Sequence, residues 1–172
     1  MILAFGDSLT NGFGVGYEFS YPKYLEQRVG KSVISAGVDG EYSHAGLSRL
    51  SEYLEAKPEL VILCHGANDI FTQMSTERLK KNLVSMVRLI RESGAEVILV
   101  GLPDYYGFGF EVHPVYYEVA QEMDILLEDG VMQEITLTDS LKNDDVHPNE
   151  KGYEKMADTF FEFLTQKGLI AK

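Results

Sequence analysis

The chain has 172 residues, 45% of them hydrophobic and 24% charged, which suits a single domain spanning 1–172 around one substantial core. Its 27 acidic and 15 basic side chains leave a formal net charge of -12, which disfavours nucleic acid and anionic membranes as partners, since both reward clustered Lys and Arg. One cysteine, Cys64, excludes an intrachain disulfide, and with four histidines no metal-ligand spacing appears.

Met1–Phe5 is an apolar run and reads as strand one. No basic segment precedes it, so the expectation is a cytoplasmic protein, or a periplasmic or secreted one whose leader has been removed. Next comes Gly6-Asp7-Ser8-Leu9-Thr10-Asn11-Gly12, a turn dense in glycine and hydroxyls. Asp7 is expected to hold that turn, and Gly12, Gly14 and Gly16 to loosen the loop, since G-x-G-x-G is not the dinucleotide fingerprint. Tyr21–Val29 places Tyr21, Tyr24, Leu25 and Val29 on one helical face. Ser32–Ala36 is strand two, and Ala45–Ala56 a helix with Leu47, Leu50, Tyr53 and Leu54 inward. Leu60–Cys64 is strand three, which makes Cys64 a buried structural thiol. Thr76–Ser93 carries the stripe Leu79, Leu83, Met86, Val87 and Ile90, and Gly94 stops it. Glu96–Val100 is strand four, Pro114–Met123 a helix, Asp124–Leu127 a short strand five and Asn149–Gln166 a closing helix. No apolar run is long enough to span a membrane.

Strands that are nearly all apolar, alternating with helices, predict an α/β protein. The expected architecture is three-layer α/β/α, flavodoxin-like, with a five-stranded parallel sheet of order 2-1-3-4-5. Ligands of such sheets bind beyond the carboxyl ends of the strands. Ser8 follows strand one, Gly40 strand two, Asn68 strand three, and Asp144, Asp145 and His147 follow strand five, so all of them converge on one rim. Their chemistry is complementary. A serine nucleophile needs a base such as His147, and the histidine needs a carboxylate to fix its tautomer. Acyl transfer needs donors for an oxyanion, which a close-approaching glycine N–H and an asparagine amide supply. A competing reading takes the Ser8–Thr10 turn as the phosphate grip of a flavodoxin-like binding module. It leaves Asn68 and the Asp144–His147 pair without purpose.

"GDSLTNG", "AGVDG", "GAND" and "DDVHPN" together resemble the four blocks of the SGNH (GDSL-type) hydrolases, in the family's order from Gly6 to Asn149. The spacing is similar to that of bacterial acyl-CoA thioesterase I, lysophospholipase and arylesterase. The resemblance implies a serine esterase or thioesterase without metal or organic cofactor. Ser8 would be the nucleophile, with Asp144 and His147 completing the triad. The Ser8 and Gly40 N–H groups and the Asn68 side chain would form the oxyanion hole. The choice of Asp144 over Asp145 rests on the family's Asp-x-x-His spacing, and Ser35 stands near the place where block two often carries asparagine before its glycines. The G-x-S-x-G elbow of α/β-hydrolases is absent. Small-molecule esters or thioesters are the implied substrates, lysophospholipid and acyl-CoA included, with carbohydrate O-acetyl esters as the alternative.

Two further groups of residues have double readings. The aromatic loop with Tyr105, Tyr106, Phe108 and Phe110, continued by Tyr116 and Tyr117, and the pair Ile70–Phe71, either pack the sheet edge or wall an acyl groove. His44, His65 and His113 have no partner comparable to Asp144 and read as structural or surface, with His65 the best placed to touch substrate. Asp69 reads as a buried hydrogen-bond organiser.

Overall fold

The computed structural model describes residues 1–170. Its sheet contains β1 (Ile2–Gly6), β2 (Val33–Gly37), β3 (Leu60–Cys64), β4 (Glu96–Val100) and β5 (Leu126–Glu128). All pairings are parallel, and the order β2-β1-β3-β4-β5 is the expected one. The register runs from Ile2 opposite Val33 and Leu60 to Gly6 opposite Gly37 and Cys64. The carboxyl ends of the three strands nearest the site therefore finish level. β1 and β3 are buried at every residue, which requires cover on both faces.

The helices are α1 (Ser8–Asn11), α2 (Tyr21–Val29), α3 (Ser43–Leu54), α4 (Ala67–Phe71), α5 (Thr76–Glu92), α6 (Pro114–Met123), α7 (Val131–Leu137) and α8 (Glu150–Gln166). α2 packs on α8, while α5 packs on both α3 and α6. The α5 stripe Leu79, Leu83, Met86, Val87 and Ile90 is buried, and Ser75 caps the helix by accepting from the Arg78 N–H. Asn149 caps α8 in the same way through the Gly152 N–H. No helix of the described residues is long and apolar enough to cross a membrane.

β1 and β2 each lie one residue later than expected, and the starts of two further elements shift by two residues for identifiable reasons. α3 starts at Ser43, two residues before Ala45, because the Asp69 carboxylate accepts from the Ser43 backbone N–H at 2.8 Å and its hydroxyl at 2.6 Å. β5 starts at Leu126 because Asp124 adopts φ 48° and closes α6, sending its N–H back to the carbonyls of Ala120 and Gln121. α1, α4 and α7 are additional to the expected elements. Helices of one or two turns are too short to form by propensity and exist here by capping and packing.

Candidate active site

The apolar run of β1 ends in Gly6-Asp7-Ser8. Gly6 lies so close to the Cys64 carbonyl and the Thr10 hydroxyl that no side chain fits there. Asp7 caps α1, its carboxylate accepting from the Leu9 N–H at 3.0 Å, and burial pushes its pKa up. This holds Ser8 at the first position of α1, 7% exposed, with its Oγ 3.0 Å from His147 Nε2.

His147 stands on the loop before α8. That loop is closed by the Asn143 N–H donating to the His147 carbonyl at 2.9 Å, and the Asn149 N–H to the Leu141 carbonyl at 2.9 Å. His147 Nδ1 lies 2.8 Å from Asp144 Oδ2, while Asp144 Oδ1 accepts from the backbone N–H groups of Val146 at 2.8 Å and His147 at 2.7 Å. Burial opposes the Asp144 charge, but the two N–H donors and the imidazole outweigh it and hold the carboxyl below its ordinary range. An ionised carboxylate only accepts, so Nδ1 carries the proton and Nε2 is left to accept from the Ser8 hydroxyl. The imidazole packs on the Phe13 ring at 4.4 Å, and the Tyr153 hydroxyl fixes that segment by donating to the Phe13 carbonyl at 2.9 Å. Asp145 is exposed and, among the described residues, has no hydrogen-bond contact with His147.

The other two blocks meet beside Ser8. Val38–Glu41 is a tight turn closed by the Glu41 N–H on the Val38 carbonyl at 3.2 Å. Its third residue, Gly40, takes φ 71°, the left-handed value that this turn position reserves for glycine. Asn68 is the second residue of α4, and its Nδ2 donates to the Glu41 carbonyl at 3.0 Å. A cleft of about 350 Å³ opens over these groups, lined by Ser8, Ala67, Asn68, Phe71, Asp144, Asp145, Val146 and His147. Gly40 lies at the adjoining turn, outside that lining.

Of the aromatic wall expected on the sequence, one residue reaches the cleft directly. Phe71 lines it and is 48% exposed. Tyr105 packs edge-on against Phe71 at 6.0 Å with its hydroxyl buried, and burial raises that hydroxyl's pKa. The Tyr106 hydroxyl donates to the Phe71 carbonyl, strapping the two loops together. Ile70 is buried and faces a neighbouring hollow of about 310 Å³, shared with Tyr106 and His113. Phe108 is fully exposed and Phe110 sits in a left-handed turn at φ 49°; neither lines the cleft. The loop between them is tied to α7 through the Gln133 amide, which donates to the Gly109 carbonyl at 3.1 Å. Tyr116 is a buried strut donating to the His65 carbonyl, and Tyr117 bonds Asp129.

The histidine expected nearest the substrate turns inward. His65 is wholly buried, with Nε2 3.0 Å from Glu41 Oε2. His113 caps α6 through Nδ1, His44 stacks on Tyr42 at the surface, and Asp69 is the buried organiser of Ser43. Burial raises the Cys64 thiol's pKa well above normal, in keeping with a structural role. Three residues near the site had no sequence signal of their own. Phe13, Glu41 and Arg49 are a loop aromatic, a charge next to a motif glycine and a charge on a helix, and only their contacts single them out.

A serine hydroxyl on a carboxylate-oriented imidazole, on a doubly wound sheet without a G-x-S-x-G elbow, is the arrangement of serine hydrolases outside the α/β-hydrolase fold. The chain belongs to the GDSL-like lipase/acylhydrolase family, whose profile matches residues 4–155. It is 28% identical to an arylesterase of Vibrio mimicus, over 96% of this chain and 86% of that protein. It is also 28% identical to the thioesterase 1/protease 1/lysophospholipase L1 of Escherichia coli K12, over 91% and 79%. Among solved structures, TesA superposes with a TM-score of 0.86 at 28% identity, over 96% of this chain and 98% of that one. The esterase EstA of Pseudoalteromonas sp., in a structure inhibited by monoethylphosphonate, gives 0.82 at 26% identity, over 95% and 97%.

Proposed function

We propose that the chain hydrolyses carboxylic esters or thioesters through an acyl-enzyme on Ser8, with short to medium acyl or aryl esters as its preferred class. The observation that carries this reading is the unbroken series from Ser8 Oγ to His147 Nε2 at 3.0 Å and from His147 Nδ1 to Asp144 Oδ2 at 2.8 Å. Ser8 Oγ attacks the acyl carbonyl carbon while its proton passes to His147 Nε2, and Asp144 stabilises the imidazolium. The Ser8 and Gly40 N–H groups and the free N–H of Asn68 receive the oxyanion. The bond to the alkoxy or thio group then breaks, and His147 protonates the leaving alcohol or thiol. Water attacks the Ser8 ester, His147 takes its proton, and the acid departs as Ser8 Oγ recovers a proton. The named activities of the arylesterase and thioesterase relatives and the phosphonate-inhibited neighbour agree with this chemistry. The apolar part of the cleft is short, with Phe71 as its one large side chain, which supports small acyl groups over long lipids.

The test is chemical. A fluorophosphonate labels the wild-type protein at Ser8, and Ser8→Ala abolishes both labelling and ester hydrolysis while leaving the fold intact. Label on another residue, or near-normal hydrolysis by the variant, refutes the proposal.

A further inference from the structure

Behind the cleft, a buried ion cluster joins the carboxyl ends of three strands. The Arg49 guanidinium, presented by α3, grips both oxygens of Glu41, with Nε to Oε1 and Nη2 to Oε2 each at 2.7 Å. The same Nη2 lies 3.0 Å from the carbonyl oxygen of Gly6, the last residue of β1, and 2.9 Å from that of Ala36, the penultimate residue of β2, and shares its two hydrogens among these and Glu41. Its plane lies over the Phe5 ring, 4.2 Å from the centroid. From the end of β3, His65 supplies the third hold on Glu41, its Nε2 lying 3.0 Å from Oε2. α3 accommodates the His65–Glu41 contact by carrying Gly46 there, where any side chain would collide with His65 Nε2. The Glu41 side chain is 7% exposed. Burial opposes its charge, but the His65 and Arg49 hydrogen bonds prevail and keep its pKa at about 2.

Such a cluster is poor value as a stabiliser. Buried ion pairs repay little of their desolvation cost, and among the described residues Arg49 Nη1 and His65 Nδ1 find no partner. What the cluster does hold is geometry. Glu41 directly follows Gly40, so fixing its side chain fixes the turn that aims the Gly40 N–H. Its carbonyl takes one of the two N–H bonds of the Asn68 amide at 3.0 Å, which sets the amide's rotation and leaves the other N–H for the cleft. Through Gly6, Arg49 also ties the cluster to the strand end two residues before Ser8.

We infer that Glu41, clamped by Arg49 and His65, is a positioning residue that sets both oxyanion donors, Gly40 and Asn68, against Ser8. The inference rests on the oxyanion role proposed above. Oxyanion stabilisation depends on donors held in place before charge develops, and misplacement of about 1 Å costs up to about 10²-fold in rate.

Steady-state kinetics on a short-chain nitrophenyl ester provide the test. Glu41→Ala lowers kcat by up to about 10²-fold. KM stays near the wild-type value, because the donors serve the transition state more than the bound ester. Glu41→Gln, which keeps the length and two hydrogen-bonding groups, recovers part of kcat. In an Asn68→Ala background the cost of Glu41→Ala shrinks, because one of the donors it positions is gone. Losses that multiply fully with Asn68→Ala, a loss confined to KM, or no loss at all overturn the inference. If Glu41→Ala does not fold, His65→Gln is measured the same way: a smaller kcat loss that again fails to multiply supports the inference, and a multiplicative one overturns it. Activity surviving in Ser8→Ala refutes the proposed function itself, so the two failures are told apart.

Discussion

Truncating Phe71 to alanine measures how much of the substrate preference comes from the cleft wall. Phe71 is 48% exposed. An aromatic side chain presents on the order of 200 Å², so about 100 Å² of Phe71 is open to a ligand. An acyl chain lying along one side would cover about half of that, worth roughly 1.2 kcal/mol at 25 cal/mol per Å², a little under tenfold in kcat/KM. Each methylene of the chain adds up to about 0.8 kcal/mol while it stays in contact with the wall. For the wild-type protein kcat/KM therefore rises over the first few acyl carbons and then levels where the cleft opens to water. In Phe71→Ala the rise is shallower, by close to tenfold at its top, while the acetyl ester changes little. The assay is kcat/KM on nitrophenyl esters from acetate to decanoate, run beside an acyl-CoA, a lysophospholipid and an acetylated sugar. A flat wild-type profile, or one the substitution leaves unchanged, refutes the assignment of Phe71 to the acyl site. Activity confined to the acetylated sugar refutes the short-to-medium acyl preference and places the chain with the sugar deacetylases.

Three more outcomes follow from the site geometry. His147→Ala should cost as much as Ser8→Ala, because the two act as a unit, and Asp144→Ala should cost about 10⁴-fold in kcat. Asp145→Ala should be far milder, and the reverse order of the two aspartates would mean that His147 takes a different partner during turnover. Asn68→Ala should lower kcat by roughly 10²–10³ with little change in KM, and a change confined to KM would make Asn68 a substrate-binding group. In acid, Glu41 binds its proton near pH 2 when folded against an ordinary value of 4.5, so the unfolded chain takes up the proton first. The stability that its folded-state ionisation carries relative to the protonated form is complete above pH 4.5 and lost as pH falls toward 2. Denaturant unfolding of Glu41→Gln followed from pH 5 to pH 2 should show a shallower decline than wild type, and parallel curves would contradict the folded-state ionisation.

The sequence by itself determined the sheet and the rim on which the motif residues stand. β3, β4, α2 and α6 occupy the ranges that hydrophobic periodicity predicts, because an unbroken apolar run or a capped amphipathic stripe is a local signal that burial then obeys. The strand order followed from the alternation of elements, and that order carried Ser8, Asn68 and His147 to one rim, since each lies a few residues beyond a strand end. Short helices escaped notice because their stability comes from partners distant in the chain, as Ser43 shows with Asp69. The Asp-x-x-His spacing of the family favours Asp144 over Asp145, and the tertiary structure shows the Asp144 carboxylate on the His147 imidazole, a contact that loop backbone, having no period, does not announce. It also put Phe71, and not the aromatics of the 105–110 loop, in the cleft lining and turned His65 inward toward Glu41. The Glu41–Arg49–His65 cluster is the clearest case: its three residues come from a turn, a helix and a strand end, and the distances that give them a task exist only once the strands lie side by side.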